Sequence, residues 1–350
     1  MKTVLVTGAG GYIGSVLVPK LLDKGYKVKA LDRFFFGEDK LEPHRNLLLI
    51  KEDSRRMKEE YMAEVDAIID LVALSNDPSG ETFREATYQI NHISRVNTAT
   101  MAKKLGVGRY ILPSSCSLYG FQAEDVIVNE NSPTNPISTY AKANEMAEKG
   151  ILPLADDRFT VVVMRQATVY GYSPRMRFDL AINGMTLGAW KSGVIPLMKD
   201  GTQWRPMVHV QDTTDVMCLL LEAEHDKING QIFNVGSNDN NYQLGKLGDE
   251  IAKALPKEVK IQWYGDPDHR SYRVNFDKIE QVLDWKAKWT AAKGAEEIYN
   301  ALETGKISVM EQTITLNWYR ELIKWHRLIR QAELYGGIID LQGSGVEERF

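Results

Sequence analysis

Short apolar runs recur near residues 2–7, 27–32, 47–50, 66–72, 109–114 and 159–165, separated by stretches in which apolar positions return at helical spacing. Strand and helix in alternation predict a parallel sheet with helices on both faces, a doubly wound α/β architecture. The first helix is expected from about Gly11 to Lys24, and a longer amphipathic one over 82–105, stopped by Gly106 and Gly108. Another starts near Ser138, after Pro133 and Pro136, and runs to about Ile151. Beyond Gly171 the pattern loosens, with Pro174, Gly184, Gly188, Gly193, Pro196 and Gly201 punctuating shorter elements. This places a soft boundary near 170, between a dinucleotide-binding domain (1–170) and a smaller mixed α/β substrate domain (171–335), with room for some of its segments to return to the first. A late helix is expected over Glu311–Leu334, and residues 336–350 read as a glycine-containing tail.

The turn between the first strand and helix is Gly8-Ala9-Gly10-Gly11-Tyr12-Ile13-Gly14. Glycines let a backbone turn tightly and approach a diphosphate, and the following helix N-terminus offers free N–H groups. Asp32 ends the second strand, about 20 residues on, where a carboxylate accepts from both hydroxyls of an adenosine ribose. This combination predicts a Rossmann βαβ unit, with Gly8, Gly11, Tyr12, Ile13, Gly14 and Asp32 against the cofactor. A carboxylate there repels a 2′-phosphate, so NAD is favoured over NADP, although Arg33 partly offsets that charge. Asp53, followed by Ser54, either meets the adenine amino group or caps a helix. Leu71 and Ala73, small or apolar, let the cofactor lie across the strand ends.

Composition narrows the picture by exclusion. The 350 residues carry a net charge of −4, with 43% hydrophobic and 26% charged positions, which gives no electrostatic case for nucleic acid or an anionic membrane. No apolar run is long enough for a membrane span, and the chain enters its first strand at once, which predicts no leader peptide. With two cysteines, Cys116 and Cys218, neither a disulfide framework nor a metal centre is expected, and a cytoplasmic location is.

These motifs, with Asn91, Ser114-Ser115-Cys116-Ser117-Leu118-Tyr119-Gly120, Tyr140, Arg165–Gly171, Arg205–Asp212 and Phe233–Gly236, resemble the extended short-chain dehydrogenase/reductases, specifically the NAD-dependent nucleotide-sugar epimerase/dehydratase group. The resemblance implies that Ser115 and Tyr140 act on one sugar hydroxyl and that Asn91 lines the cofactor site. It implies a nucleoside-diphosphate sugar as substrate, with Arg205 and Arg270 gripping the diphosphate, and a homodimer paired through helices near 82–105 and 138–151. Ser75, Asn76 and Thr168 are expected to touch the hexose, and Arg175 to face the same cleft or the surface. Cys116 and His209 are read as structural. The acid pair of the dehydratases is replaced by Cys116-Ser117, which disfavours 4,6-dehydration and points to epimerisation.

One position departs from that pattern. The family has Lys four residues after the tyrosine, and here it is Asn144. An ordinary tyrosine titrates near 10, so bringing it to about 7 takes roughly 4 kcal/mol, the work of one nearby positive charge. Asn144 has none, although it can hydrogen-bond a ribose, and Lys142 and Lys149 lie on other helix faces. Three readings stay open: an inactivated variant, a member with altered chemistry, or a cation supplied from elsewhere. Turnover is expected to be slow. A keto-sugar reductase using NAD(P)H and a non-catalytic dinucleotide- or sugar-binding protein stand as alternatives.

Overall fold

The computed structural model describes residues 1–266 and 271–334. They fall into two units, Met1–Ser308 and the segment that begins at Val309. At the centre of the first is a seven-stranded sheet: β1 (Thr3–Thr7), β2 (Lys27–Asp32), β3 (Leu47–Lys51), β4 (Ala67–Asp70), β5 (Arg109–Ser115), β6 (Thr160–Gln166) and β7 (Gln231–Val235). All neighbours pair in parallel, in the order β7-β6-β5-β4-β1-β2-β3. Strand order reverses between β1 and β4, and the crevice outside the C-terminal ends of strands at such a point is where ligands bind in open α/β sheets. Six strands sit where the apolar runs placed them. The seventh, β7, comes from beyond residue 170 and had not been assigned as a strand.

Alternate residues of β1 feed the two faces of the sheet: Val4 and Val6 enter one core, Leu5 the other. The first core takes Leu17, Val18 and Leu21 of α1 (Gly14–Asp23) and Val216, Met217 and Leu220 of the helix Val210–Glu222. The second takes Ala99 and Ala102 of α2 (Arg95–Lys104) and Ala147 and Ile151 of α3 (Thr139–Ile151). A third cluster, with Tyr170, Ile182, Leu197, Leu247 and Ile251, consolidates the segments after residue 170 around smaller sheets. The second unit holds the helix Thr315–Leu334, within the range expected for the late helix; the tail lies outside the described residues.

The expected helix over 82–105 is not continuous. Asp77–Thr82 ends at Phe83, whose φ of −124° and ψ of 55° leave the helical region. After Arg84–Tyr88 the backbone widens into a π-helical stretch, Gln89–Ser94, before α2 begins. The cause is tertiary. Buried Asn91 in the π stretch pairs with both backbone groups of Leu74, taking its N–H (2.9 Å) and giving to its C=O (3.1 Å). Insertions of this kind commonly re-aim side chains at functional sites.

α3 begins on Ser138, whose side chain accepts from Ala141 N–H (3.2 Å) as an N-cap. Toward its C-terminal end Glu148 is buried against Arg165 of β6, with Nη2 to Oε2 at 2.7 Å, and accepts from Ser114 Oγ at 2.5 Å. Among the described residues, no helix is long and apolar enough to cross a membrane and no acidic, histidine or cysteine cluster could hold a metal ion.

Candidate active site

The loop after β1 is shaped by contacts that a side chain would destroy. Gly8 has φ +67°, and a Cβ there would stand 2.8 Å from the backbone of Leu71 and Val72. A Cβ on Gly14 would stand 2.4 Å from the carbonyl oxygen of Ala9. Small residues therefore hold β1, α1 and the strand end at Leu71–Ala73 close together and leave a concave backbone cradle. Gly11 N–H turns back to Gly8 C=O (3.1 Å), and Ile13 precedes the first turn of α1. The phenol of Tyr12 is buried; it donates to Gly171 C=O (2.6 Å) and accepts from Asn183 (3.1 Å). Its side chain thus ties the loop to the segment after residue 170.

Asp32 accepts from Gly10 N–H (3.0 Å) and Phe34 N–H (2.7 Å) at the end of β2. Burial pushes its carboxyl above the usual carboxylate range, against these hydrogen bonds and the nearby Arg175 charge. Arg33 turns away to Asp53 (3.1 Å) and lies over the Phe35 ring at 4.1 Å. Asp53 caps the short helix Ser54–Arg56, accepting from Arg55 N–H (3.0 Å) and from the Arg55 guanidinium (2.6 Å). These bonds from Arg55 hold its carboxyl down at about 2. Of the two readings of Asp53, the cap is the one the geometry builds. Ser54 is buried beside Ser94 (3.3 Å).

Ser115 is the last residue of β5, so it stands at the same edge of the parallel sheet as the glycine cradle. Tyr140 lies in the first turn of α3, and the Ser115 side chain, which accepts from Ser117 N–H (3.1 Å), is among the groups that draw its phenol down. Gly80 makes room for it: a Cβ there would come 3.3 Å from the Tyr140 Cβ. Burial raises the Tyr140 phenol, Asp77 adds to that, and Arg95, the Ser115 hydrogen bond and Arg177 draw it down.

On the expected substrate side, Arg177 pairs with Asp179 (2.8 Å) and donates to Ser75 Oγ (3.0 Å), while Asn76 donates to Asp179 (2.5 Å). Ser75 and Asn76 are therefore positioned by an ion pair that sequence reading missed, since Arg177 and Asp179 carry no recognisable spacing of their own. Thr168 begins the short strand Thr168–Tyr170, half-buried. Arg175 is buried, not a surface residue, with its guanidinium 3.6 Å from the Phe36 ring centroid. Arg205 is 9% exposed and bonds its neighbour's carbonyl at Trp204 (2.8 Å). Beside it, Gln203 is buried with neither amide atom hydrogen-bonded among the described residues. Arg270 lies outside the described residues. Cys116 is buried and donates to Arg165 C=O (3.2 Å), with burial pushing its thiol up. His209 is buried between Trp289, stacked at 3.9 Å, and Glu297 at 2.9 Å.

The profile of the NAD dependent epimerase/dehydratase family matches residues 4–236. The chain belongs to that family. UDP-glucuronic acid decarboxylase 4 of Arabidopsis thaliana is 26% identical over 305 residues, covering 83% of this chain and 66% of the relative, slightly under two thirds of its length. UDP-arabinose 4-epimerase 1 of the same plant is 27% identical over 328 residues, covering 84% and 77%. Among solved structures, UDP-glucuronic acid 4-epimerase from Bacillus cereus, in complex with UDP-glucuronic acid and NAD, superposes with a TM-score of 0.77. It is 21% identical and covers 86% of this chain and 99% of its own.

Position 144 is where the chain carries asparagine in place of the lysine that the resemblance implies. Asn144 is buried and its amide is spent inside the protein: Nδ2 donates to Tyr140 C=O and Oδ1 accepts from Arg95 Nη1, both at 2.9 Å. The side chain expected to reach a ribose is turned inward instead, because a guanidinium from α2 occupies its acceptor. Lys142 is exposed, and Lys149 pairs with Glu145 (2.9 Å), as their helix positions require. Arg95 was invisible to sequence reading. Nothing in its spacing to Tyr140 signals contact, since the π-helical stretch sets its direction.

Proposed function

We propose that this chain is an NAD-dependent nucleotide-sugar oxidoreductase of the epimerase type, acting at a sugar carbinol. The observation that carries this reading is the placement of Ser115 at the end of β5 and of Tyr140 in the first turn of α3, on the sheet edge that also bears the glycine cradle. The residues present fit NAD: the cradle excludes even a Cβ at Gly8 and Gly14, and Asp32 ends β2 with its carboxylate held in place by two backbone N–H groups. Gly8–Gly14 would hold the diphosphate and Asp32 the adenosine ribose. Arg33, engaged with Asp53, leaves the Asp32 charge to disfavour a 2′-phosphate. When bound, NAD supplies the acceptor for hydride leaving the sugar carbon.

The chain's own residues handle the proton. Tyr140 Oη takes it from the sugar hydroxyl as the carbon is oxidised and returns it when the carbonyl is reduced. Ser115 Oγ, at the end of β5, orients the same oxygen. Arg205 and the unpartnered amide of Gln203 supply donors for a nucleoside diphosphate, the guanidinium in bidentate fashion. The relatives named above, a UDP-sugar decarboxylase and UDP-sugar epimerases, support a UDP-sugar.

The test is a product analysis. The purified chain should release NAD on denaturation, detected by mass spectrometry. With added UDP-glucuronic acid, UDP-glucose or UDP-arabinose, it should give the epimeric sugar by NMR without net reduced nicotinamide. Stoichiometric consumption of NAD(P)H would reassign it as a keto-sugar reductase. Release of carbon dioxide would make it a decarboxylase, and binding without turnover a non-catalytic protein.

The reading extends to a cytoplasmic homodimer paired through the segment 82–105 and α3, where Ile93 of the π-helical stretch and Met146 are about two-fifths exposed. Two buried free cysteines suit a reducing compartment. Met146→Glu should halve the mass seen by light scattering; an unchanged dimer would move the interface elsewhere.

A further inference from the structure

Two buried arginines of the central fold differ in how their charge is met. Arg165 lies against the carboxylate of Glu148 at 2.7 Å. Arg95, 2% exposed, meets only neutral oxygens: Nε donates to Val72 C=O (2.9 Å), Nη2 to Asp70 C=O (3.3 Å) and Nη1 to Asn144 Oδ1 (2.9 Å). Among the described residues no carboxylate comes within ion-pair distance of it. A buried charge answered by neutral dipoles alone projects its field onto its surroundings much more strongly than a paired one.

Asn144 faces two ways. It receives the Arg95 guanidinium on Oδ1 and grips the backbone of Tyr140, one turn earlier, through Nδ2. Lysine at 144 would set two cations against each other in a buried site, so the identities of positions 95 and 144 are coupled. We propose that Arg95 and Asn144 act as a pair of positioning residues, Arg95 supplying from α2 the fixed positive charge that a lysine one turn after Tyr140 would bring, with Asn144 holding it in place. This rests on Tyr140 being the proton carrier. It favours the third of the readings opened by Asn144, a cation from elsewhere, while burial still holds the phenol above its ordinary value.

The charged and titratable neighbours of Tyr140 agree with the assignment. Burial and Asp77 oppose ionisation of the phenol; of the influences favouring it Arg95 is the largest, ahead of the Ser115 hydrogen bond and Arg177.

The experiment is a spectroscopic titration of Tyr140 in the full chain, taken as the tyrosinate difference spectrum against Tyr140→Phe. Arg95→Gln retains a donor for Asn144 but loses the charge, and should move the transition up by about one pH unit or more. Arg95→Lys should leave it near its original position. A transition unmoved by Arg95→Gln overturns the proposal. Should that variant fail to fold, the double exchange Arg95→Thr with Asn144→Lys decides. Agreement between its transition and that of the original chain supports an equivalent charge. A transition more than about one pH unit lower than the original chain's shows that Arg95 was not supplying it. No substrate is needed. A chain that titrates as expected yet converts no UDP-sugar keeps this inference and loses the proposed function; an epimerase with an unmoved transition does the reverse.

Discussion

Replacing Glu148 with alanine is expected to cost about 3–5 kcal/mol of unfolding free energy, read from urea melts. The carboxylate is 3% exposed and is shared between the Arg165 guanidinium and Ser114 Oγ. Its loss would leave Arg165, itself 5% exposed on β6, as an uncompensated buried charge. Arg165 Nη1 also donates to Tyr119 Oη (3.1 Å), whose phenol donates in turn to Asn234 of β7 (2.8 Å), so the damage spreads across three strands. Removing both partners, as Glu148→Leu with Arg165→Met, should recover most of the loss, because apolar replacements leave no charge to desolvate. A loss below about 1 kcal/mol for Glu148→Ala would place this pair with ordinary surface bridges and refute its structural role.

Tyr140→Phe is expected to lower kcat by about 10²- to 10⁴-fold, the range supplied by one positioned acid–base group. The ring and its packing beside Gly80 remain, and the substitution removes only the hydroxyl. NAD content and melting temperature should therefore hold steady, which separates lost chemistry from lost structure. A phenylalanine variant with undiminished turnover would mean that the proton moves through another group, and the proposed mechanism would fall.

Local patterns carried most of the scaffold. Apolar runs located six strands, most plainly where a parallel strand is covered on both faces and little interrupts its apolar sequence, as in β1, β4 and β6. The seventh, Gln231–Val235, escaped because it follows a segment whose pattern had already loosened; only its pairing with β6 makes it part of the sheet. The glycine turn was readable because backbone approach leaves a chemical trace, the absence of side chains where a Cβ would strike Leu71, Val72 or Ala9. The break inside 82–105 left none, since a buried Asn91 bonding Leu74 is a long-range event.

The site divides along the same line. Ser115 and Tyr140 were singled out by the family resemblance, and the fold places them at the end of β5 and in the first turn of α3. The roles of charged side chains were much less legible. Arg175 could be buried or exposed on sequence grounds, Asp53 could bind or cap, and Arg177, Asp179 and Arg95 drew no attention. A charge acts over distances set by the fold and by how it is neutralised, and neither quantity exists along a one-dimensional chain.

By itself, then, the order of residues determined the α/β layering, the glycine cradle and the position of Tyr140 at a helix start. Each of these depends on neighbours a few residues apart, through strand periodicity, turn sterics and helix capping. Tertiary structure alone decided which charges meet: Glu148 with Arg165, Asp53 with Arg55, and Arg95 with no carboxylate but with Asn144. Those partners lie on different strands and helices, and only packing brings them to a few ångströms.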